Sequence, residues 1–197
     1  GYIVKKIGAS AFRDFSYYDK ITGKTIYLSS VTLPSTVEEI GGFAFADNSY
    51  LSTFVFNNGL KKIEAFAFEG CTVLYDIALP SSLKDFGDYT FRNTNIKTFS
   101  APGITRIPVS AFENCTKLTS VVLSDELESI GAYAFNGCTA LKSIVIPEGV
   151  TSIEDDTFAY CDSLTSVTIP DSVTKIGYNA FYGCTSLARV YYSGDIE

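Results

Sequence analysis

One phenylalanine, usually preceded by alanine, recurs along this chain as Phe12, Phe45, Phe68, Phe91, Phe112, Phe135, Phe158 and Phe181. The spacings are 33, 23, 23, 21, 23, 23 and 23 residues. One unit is therefore 23 residues long, with a ten-residue insertion near 16–25 (SYYDKITGKT) and two single-residue deletions between Phe91 and Phe112. So short a unit cannot bury its own apolar side. Stacking each copy on the next is the physical solution, and that restricts the chain to a solenoid.

The unit's apolar positions carry the local structure. In the copy that starts at Phe135 they are Cys138, Leu141, Ile144, Ile146, Val150 and Ile153, with Thr157 in place of the usual alanine. The pair represented by Ile144 and Ile146 alternates as a strand does. Pro80, Pro102, Pro147 and Pro170 follow that strand in their copies and end it by removing a backbone donor. A second extended piece ends at Gly8, Gly41, Gly87, Gly131 or Gly177, which predicts a sharp bend or a positive φ there. The remaining stretch around Ala-Phe-x-Gly-Cys has room for one or two turns of helix, so each unit reads as strand, turn, extended segment, helical turn.

The stretch IPEGVTSIEDDTFAYCDSLTSVTIPDSVTKIGYNAFYGCTSL (146–187) closely resembles the BspA-like leucine-rich repeats of bacterial surface and secreted proteins. The likeness runs from Val4-Lys5-Lys6-Ile7-Gly8 to Val190-Tyr191-Tyr192. It implies an α/β fold: a right-handed β/α superhelix of about eight repeats with a concave parallel sheet, forming a single domain over 1–197. It also implies a non-enzymatic adhesion or protein-binding role at a bacterial cell surface or in a secreted protein. Departures are the insertion after Phe15, Asn48 in the cysteine column, and the shortened unit around Thr94 to Ile107. Both ends fall in mid-unit, which leads to the expectation that the natural protein continues.

Composition narrows the chemistry. The chain has no His, Trp or Met, so Ser-His-Asp and Cys-His catalysis and zinc sites of the usual His/Cys kind are excluded. Residues 1–99 hold ten basic and ten acidic side chains, and residues 100–197 hold five and twelve. An acidic half opposes binding to a phosphate backbone, so no nucleic-acid partner is expected. No apolar run reaches the roughly 20 residues of a membrane span, so no insertion by this segment is expected. Cys71, Cys115, Cys138, Cys161 and Cys184 all lie three residues after their phenylalanine and read as a column of buried free thiols, not disulfides or a metal cluster. Asp125-Glu126 with Glu128, and Glu154-Asp155-Asp156, fall in different phases of the repeat. They read as solvated surface in preference to a calcium site or an acid/base pair, and no cofactor is expected. Lys5-Lys6, Glu38-Glu39, Lys61-Lys62 and Lys84-Asp85 occupy successive units, so opposite charges are expected to face one another and set register.

Candidate contact residues come from the outward positions. The strand's first outward column reads Ser30, Thr53, Asp76, Thr98, Ser120, Ser143, Ser166, Arg189; the second reads Thr32, Val55, Ala78, Ser100, Val122, Val145, Thr168, Tyr191. These are strand-forming residues on a solvated face, with Asp76, Arg189 and Tyr191 as the exceptions able to grip a partner. Two places before the landmark stand Phe43, Phe66, Tyr89 and Tyr133, which serve either as contacts or as a column packed on itself. The insertion adds Tyr17 and Tyr18 in the one stretch the repeat does not require, and is the strongest candidate recognition element. The expected partner is a host extracellular or neighbouring-cell surface protein. The alternatives are a glycan-binding array and a structural spacer; a β-helix lyase or hydrolase is opposed by the missing His and the lack of converging acids.

Overall fold

The structure, a computed structural model, describes residues 3–192. Short strands stack in two parallel columns. The first contains Ser30–Thr32, Thr53–Val55, Thr98–Ser100, Ser120–Val122, Ser143–Val145, Ser166–Ile169 and Arg189–Tyr192. Its register is the one the repeat demands: Ser30 opposes Thr53, Thr98 opposes Ser120, Ser143 opposes Ser166, and Ser166 opposes Arg189. The second column contains Lys6–Ile7, Glu39–Ile40, Lys62–Ile63, Asp85–Phe86, Arg106–Ile107, Ser129–Ile130, Ser152–Ile153 and Lys175–Ile176. The insertion forms its own antiparallel hairpin, Ser16–Asp19 against Lys24–Tyr27.

Between the columns lies one continuous core. The landmark rings stack on their neighbours from Phe12 to Phe181 at centroid separations of 5.4–5.6 Å, with planes within 14° of parallel. These seven steps correspond to about seven turns of solenoid. Phe45, Phe68, Phe91, Phe112, Phe135 and Phe158 are fully buried, with the Ile and Leu of the same phases around them.

The predicted helical turn is corrected: no helix occurs among the described residues. In every unit the residues two before and two after the landmark have φ between 45° and 74°, as in Phe66 and Gly70, or Tyr133 and Gly137. Left-handed residues interrupt any right-handed helix. The reason lies in where the N–H groups go. The landmark and the residues two to either side donate to carbonyls of the next unit, as Phe43, Phe45 and Asp47 do to Ala65, Ala67 and Glu69 at 3.1, 2.9 and 2.7 Å. The N–H between them folds back within its own unit, as Ala46 donates to Phe43 at 3.1 Å. A helix would direct every N–H along its own axis and leave adjacent units unconnected on this side.

The glycine expectation is corrected in part. Gly41, Gly87, Gly131 and Gly177 are not in the left-handed region; they are small because the preceding unit's backbone leaves no room. A Cβ on Gly87 would lie 2.2 Å from the Ala65 nitrogen, whereas one on Gly8, in the first unit, would meet nothing within 4 Å. The charge columns do face one another: Glu38 pairs with Lys5 at 3.2 Å and Lys61 at 2.6 Å, Glu39 with Lys6 at 3.0 Å, and Asp85 with Arg106 at 3.2 Å.

Candidate functional site

The hairpin is the part of the molecule that the stack does not use. Its turn is held by the Asp19 carboxylate, which accepts from the Ile21 N–H at 2.9 Å and the Thr22 hydroxyl at 2.6 Å; these bonds hold Asp19 below the ordinary carboxylate pKa. Gly23, at φ 67°, closes it by donating to the Asp19 carbonyl. Tyr17 pairs with Ile26 on one face and Tyr18 with Thr25 on the other. Both tyrosines and Ile26 are more than half exposed, and Ile21 at the tip is 96% exposed.

Asn48 explains why one cysteine was replaced. Its amide nitrogen donates to the carbonyls of Phe12 and Phe45, and its oxygen accepts from the Phe15 N–H at 3.0 Å, where the chain leaves for the hairpin. A thiol, with a single S–H, could not donate to both carbonyls. At the return, the Tyr27 ring stacks on Tyr50 at 4.1 Å. The hairpin is thus rooted at both ends and free at its tip.

Phe43, Phe66 and Tyr89 stack face to face at 4.5 and 4.6 Å, with planes 3° apart. Arg13 covers Phe43 at 5.0 Å and Arg92 covers Tyr89 at 5.4 Å, so each end of the column carries a guanidinium. The three rings are half-buried and pack on one another, which is the self-packing alternative. Tyr133 stands two units beyond, 42% exposed, and the negative charge of Asp156 pushes its phenol pKa up.

Asp76, Arg189 and Tyr191 lie on the strand face as the register requires. Asp76 bridges to Thr53, and Arg189 donates to the Tyr191 hydroxyl at 3.3 Å. Two adjoining depressions of about 370 and 270 Å³ on this face were not foreseen; they share Val122, Leu123 and Asp125. Their signal in the sequence is Ser124, standing where the proline is expected, next to the shortened unit.

The acids of the Glu154-Asp155-Asp156 cluster and the thiols are occupied locally. Glu154 accepts from Ser152 at 2.6 Å and pairs with Lys175, Asp155 accepts from the Tyr178 N–H at 2.7 Å, and Asp156 faces Tyr133. No group of three His, Cys, Asp or Glu able to hold a metal ion occurs among the described residues. The five cysteines are free, and each thiol donates to the carbonyl of the preceding unit's landmark at 3.1–3.3 Å. Burial pushes Cys71 and Cys115 up to about 12 and raises Cys138 as well, while Cys161 is raised by its hydrogen bond with the Cys184 thiol and then by burial. Half-buried Cys184 is held below its ordinary value by the neighbouring Cys161 thiol.

The profile of the BspA type leucine rich repeat region, in 6 copies, matches residues 2–119 and 105–197. The chain belongs to this family. Among solved structures, a leucine-rich repeat protein from Bacteroides ovatus is similar at 30% identity and a TM-score of 0.74, over 96% of this chain and 59% of that one. A leucine-rich repeat protein from Eubacterium ventriosum is 27% identical with a TM-score of 0.73, over 80% and 43%. The T. pallidum leucine-rich repeat protein is 27% identical with a TM-score of 0.59, over 94% and 72%. No curated protein matches the chain. This BspA-type chain thus spans 59% of the Bacteroides protein's length, and its own additions to the repeat are the hairpin and the Asn48 anchor that roots it.

Proposed function

We propose that this BspA-type chain is a non-enzymatic protein-binding module of a bacterial surface or secreted protein, acting in adhesion, and that the hairpin Ser16–Tyr27 makes its first contact. One observation carries the reading: a rooted hairpin outside the repeat presents Tyr17, Tyr18, Ile21 and Ile26 to solvent. Tyrosines on a short constrained turn bring large contact area at low ordering cost. The superhelix of eight units in one domain serves as its frame, with the strand face as the concave wall and Asp76, Arg189 and Tyr191 as secondary contacts.

A glycan-binding reading draws on the exposed Tyr133, Tyr160, Tyr178 and Tyr182 of the later units, where Tyr160 and Tyr182 meet edge to face at 5.4 Å. The two readings separate on immobilised extracellular-matrix proteins and a glycan array, probed with wild type and with Tyr17→Ala/Tyr18→Ala. The proposal expects protein binding that the double variant weakens at least tenfold while its unfolding midpoint is unchanged. Glycan binding that survives the double variant overturns it, and binding to neither class leaves a spacer.

A further inference from the structure

In the middle of the chain the first strand column is interrupted. Ser120–Val122 pairs with Thr98–Ser100, and Ser143–Val145 pairs with Ser166–Ile169, but Ser120–Val122 and Ser143–Val145 are not paired with one another among the described residues. On the landmark side the same two units stay joined: Phe112 donates to Ala134 at 2.8 Å and its ring stacks on Phe135 at 5.5 Å. The stack therefore parts on the strand face and holds behind it. The Leu123 N–H marks the gap. Its equivalents on Leu33 and Ile146 donate to the carbonyls of Val55 and Thr168 at 2.9 and 3.0 Å, whereas the Leu123 N–H has no acceptor among the described residues.

The two adjoining depressions lie over this gap, and Val122 and Val145 within them are 61% and 65% exposed. Asp125 and Glu126 stand beside the valines, both exposed. Other acids of the stack, Glu38, Glu39, Asp85 and Glu154, each hold a lysine or arginine, but Asp125 and Glu126 form no ion pair among the described residues. Lys84, whose ammonium lies over Gly103, pairs with neither. Ser124, in place of the proline, accepts from the N–H groups of Gly103 and Glu126, both at 3.1 Å, and so fixes the backbone that carries the two carboxylates.

We propose that the two depressions form one groove for an extended segment of a partner protein, in which a lysine or arginine stands next to large apolar residues. Such a segment matches the groove group by group: its backbone offers a carbonyl to the Leu123 N–H, its apolar side chains cover Val122 and Val145, and its cation meets Asp125 and Glu126. A glycan brings hydroxyl groups but no cation, and a phosphate backbone is repelled by the same two carboxylates. The inference rests on the reading of a protein-binding module and is independent of the hairpin.

Randomised heptapeptides displayed on phage and selected on the wild-type chain test it, with the enriched sequences synthesised for fluorescence anisotropy. Enrichment of Lys or Arg beside Leu, Ile, Val or Phe is expected, with binding that weakens as salt is added. Asp125→Asn/Glu126→Gln is expected to weaken binding about tenfold and Val122→Ser/Val145→Ser about fivefold, with unfolding midpoints unchanged because all four side chains are exposed. Asp162→Asn/Asp171→Asn, which removes the same charge from exposed positions of the Phe158 unit, and Tyr17→Ala/Tyr18→Ala are expected to bind as wild type does. In amide NMR spectra the Leu123 resonance is expected to move downfield as its N–H gains an acceptor. No enrichment, enriched peptides without a basic residue, an equal loss in Asp162→Asn/Asp171→Asn, or an unmoved Leu123 resonance would each overturn the groove. Peptide binding lost in Tyr17→Ala/Tyr18→Ala overturns it too and assigns the segment to the hairpin. Matrix-protein binding that persists while no peptide is enriched removes the groove alone and leaves the hairpin reading standing.

Discussion

At the scale of single residues, the repeat turns small side chains into requirements of contact. Gly87→Ala drives a Cβ into the backbone of the preceding unit and is expected to cost about 3 kcal/mol, since that backbone cannot move without breaking its own ladder. Gly8→Ala, with open space around it, is expected to change stability by less than about 0.5 kcal/mol; chemical denaturation of the pair measures the contrast. The recurring glycines were visible in the sequence, but their reason was not, because close approach between units 23 residues apart leaves no mark within one unit. The cysteine column was equally visible, and its burial followed from its phase. What the phase could not show is that each thiol donates across units to a landmark carbonyl. Three thiols held up by burial, Cys161 held up by its hydrogen bond with Cys184 and by burial, and a half-buried Cys184 held down imply a sharp difference in reactivity. Under native, mildly alkaline conditions Ellman's reagent is expected to modify Cys184 alone, with the other four reacting only on unfolding; Cys184→Ser removes the fast phase.

Among the elements, the strands were legible and the turn between them was not. Val-x-Ile followed by proline located the first column, and counting from each phenylalanine placed Ser30 over Thr53 and Ser166 over Arg189 as observed. The Ala-Phe-x-Gly-Cys stretch has the length for a turn or two of helix, yet it folds as linked turns because alternate N–H groups must reach the next unit. Phe43, Phe66, Tyr89 and Tyr133 in left-handed conformation gave no warning, since bulky side chains disfavour it; the three that stack lie where each ring covers the next. The insertion was visible as extra length, and its hairpin follows from the Asp-x-x-x-Gly turn that Asp19 and Gly23 close. Because its strands bury almost nothing, replacing residues 17–26 by a short glycine link is expected to leave the melting temperature within about two degrees of wild type, by calorimetry. A larger fall would make the hairpin part of the stack.

For the whole molecule, stability resides in contacts between neighbouring units, because the described residues form one core that the units share. Length and composition indicated a sizeable apolar interior, and the period showed that it is distributed along an axis instead of gathered at a centre. Phe112 occupies the middle of that axis, fully buried between Phe91 at 5.6 Å and Phe135 at 5.5 Å. A charge at this point removes four ring contacts, to Phe86, Phe91, Phe99 and Phe135, and severs the interior into two shorter stacks. The direct measurement is the thermal unfolding of Phe112→Asp followed by calorimetry: the stacked account predicts two separated transitions or loss of folding, and a single transition within about two degrees of wild type would contradict it.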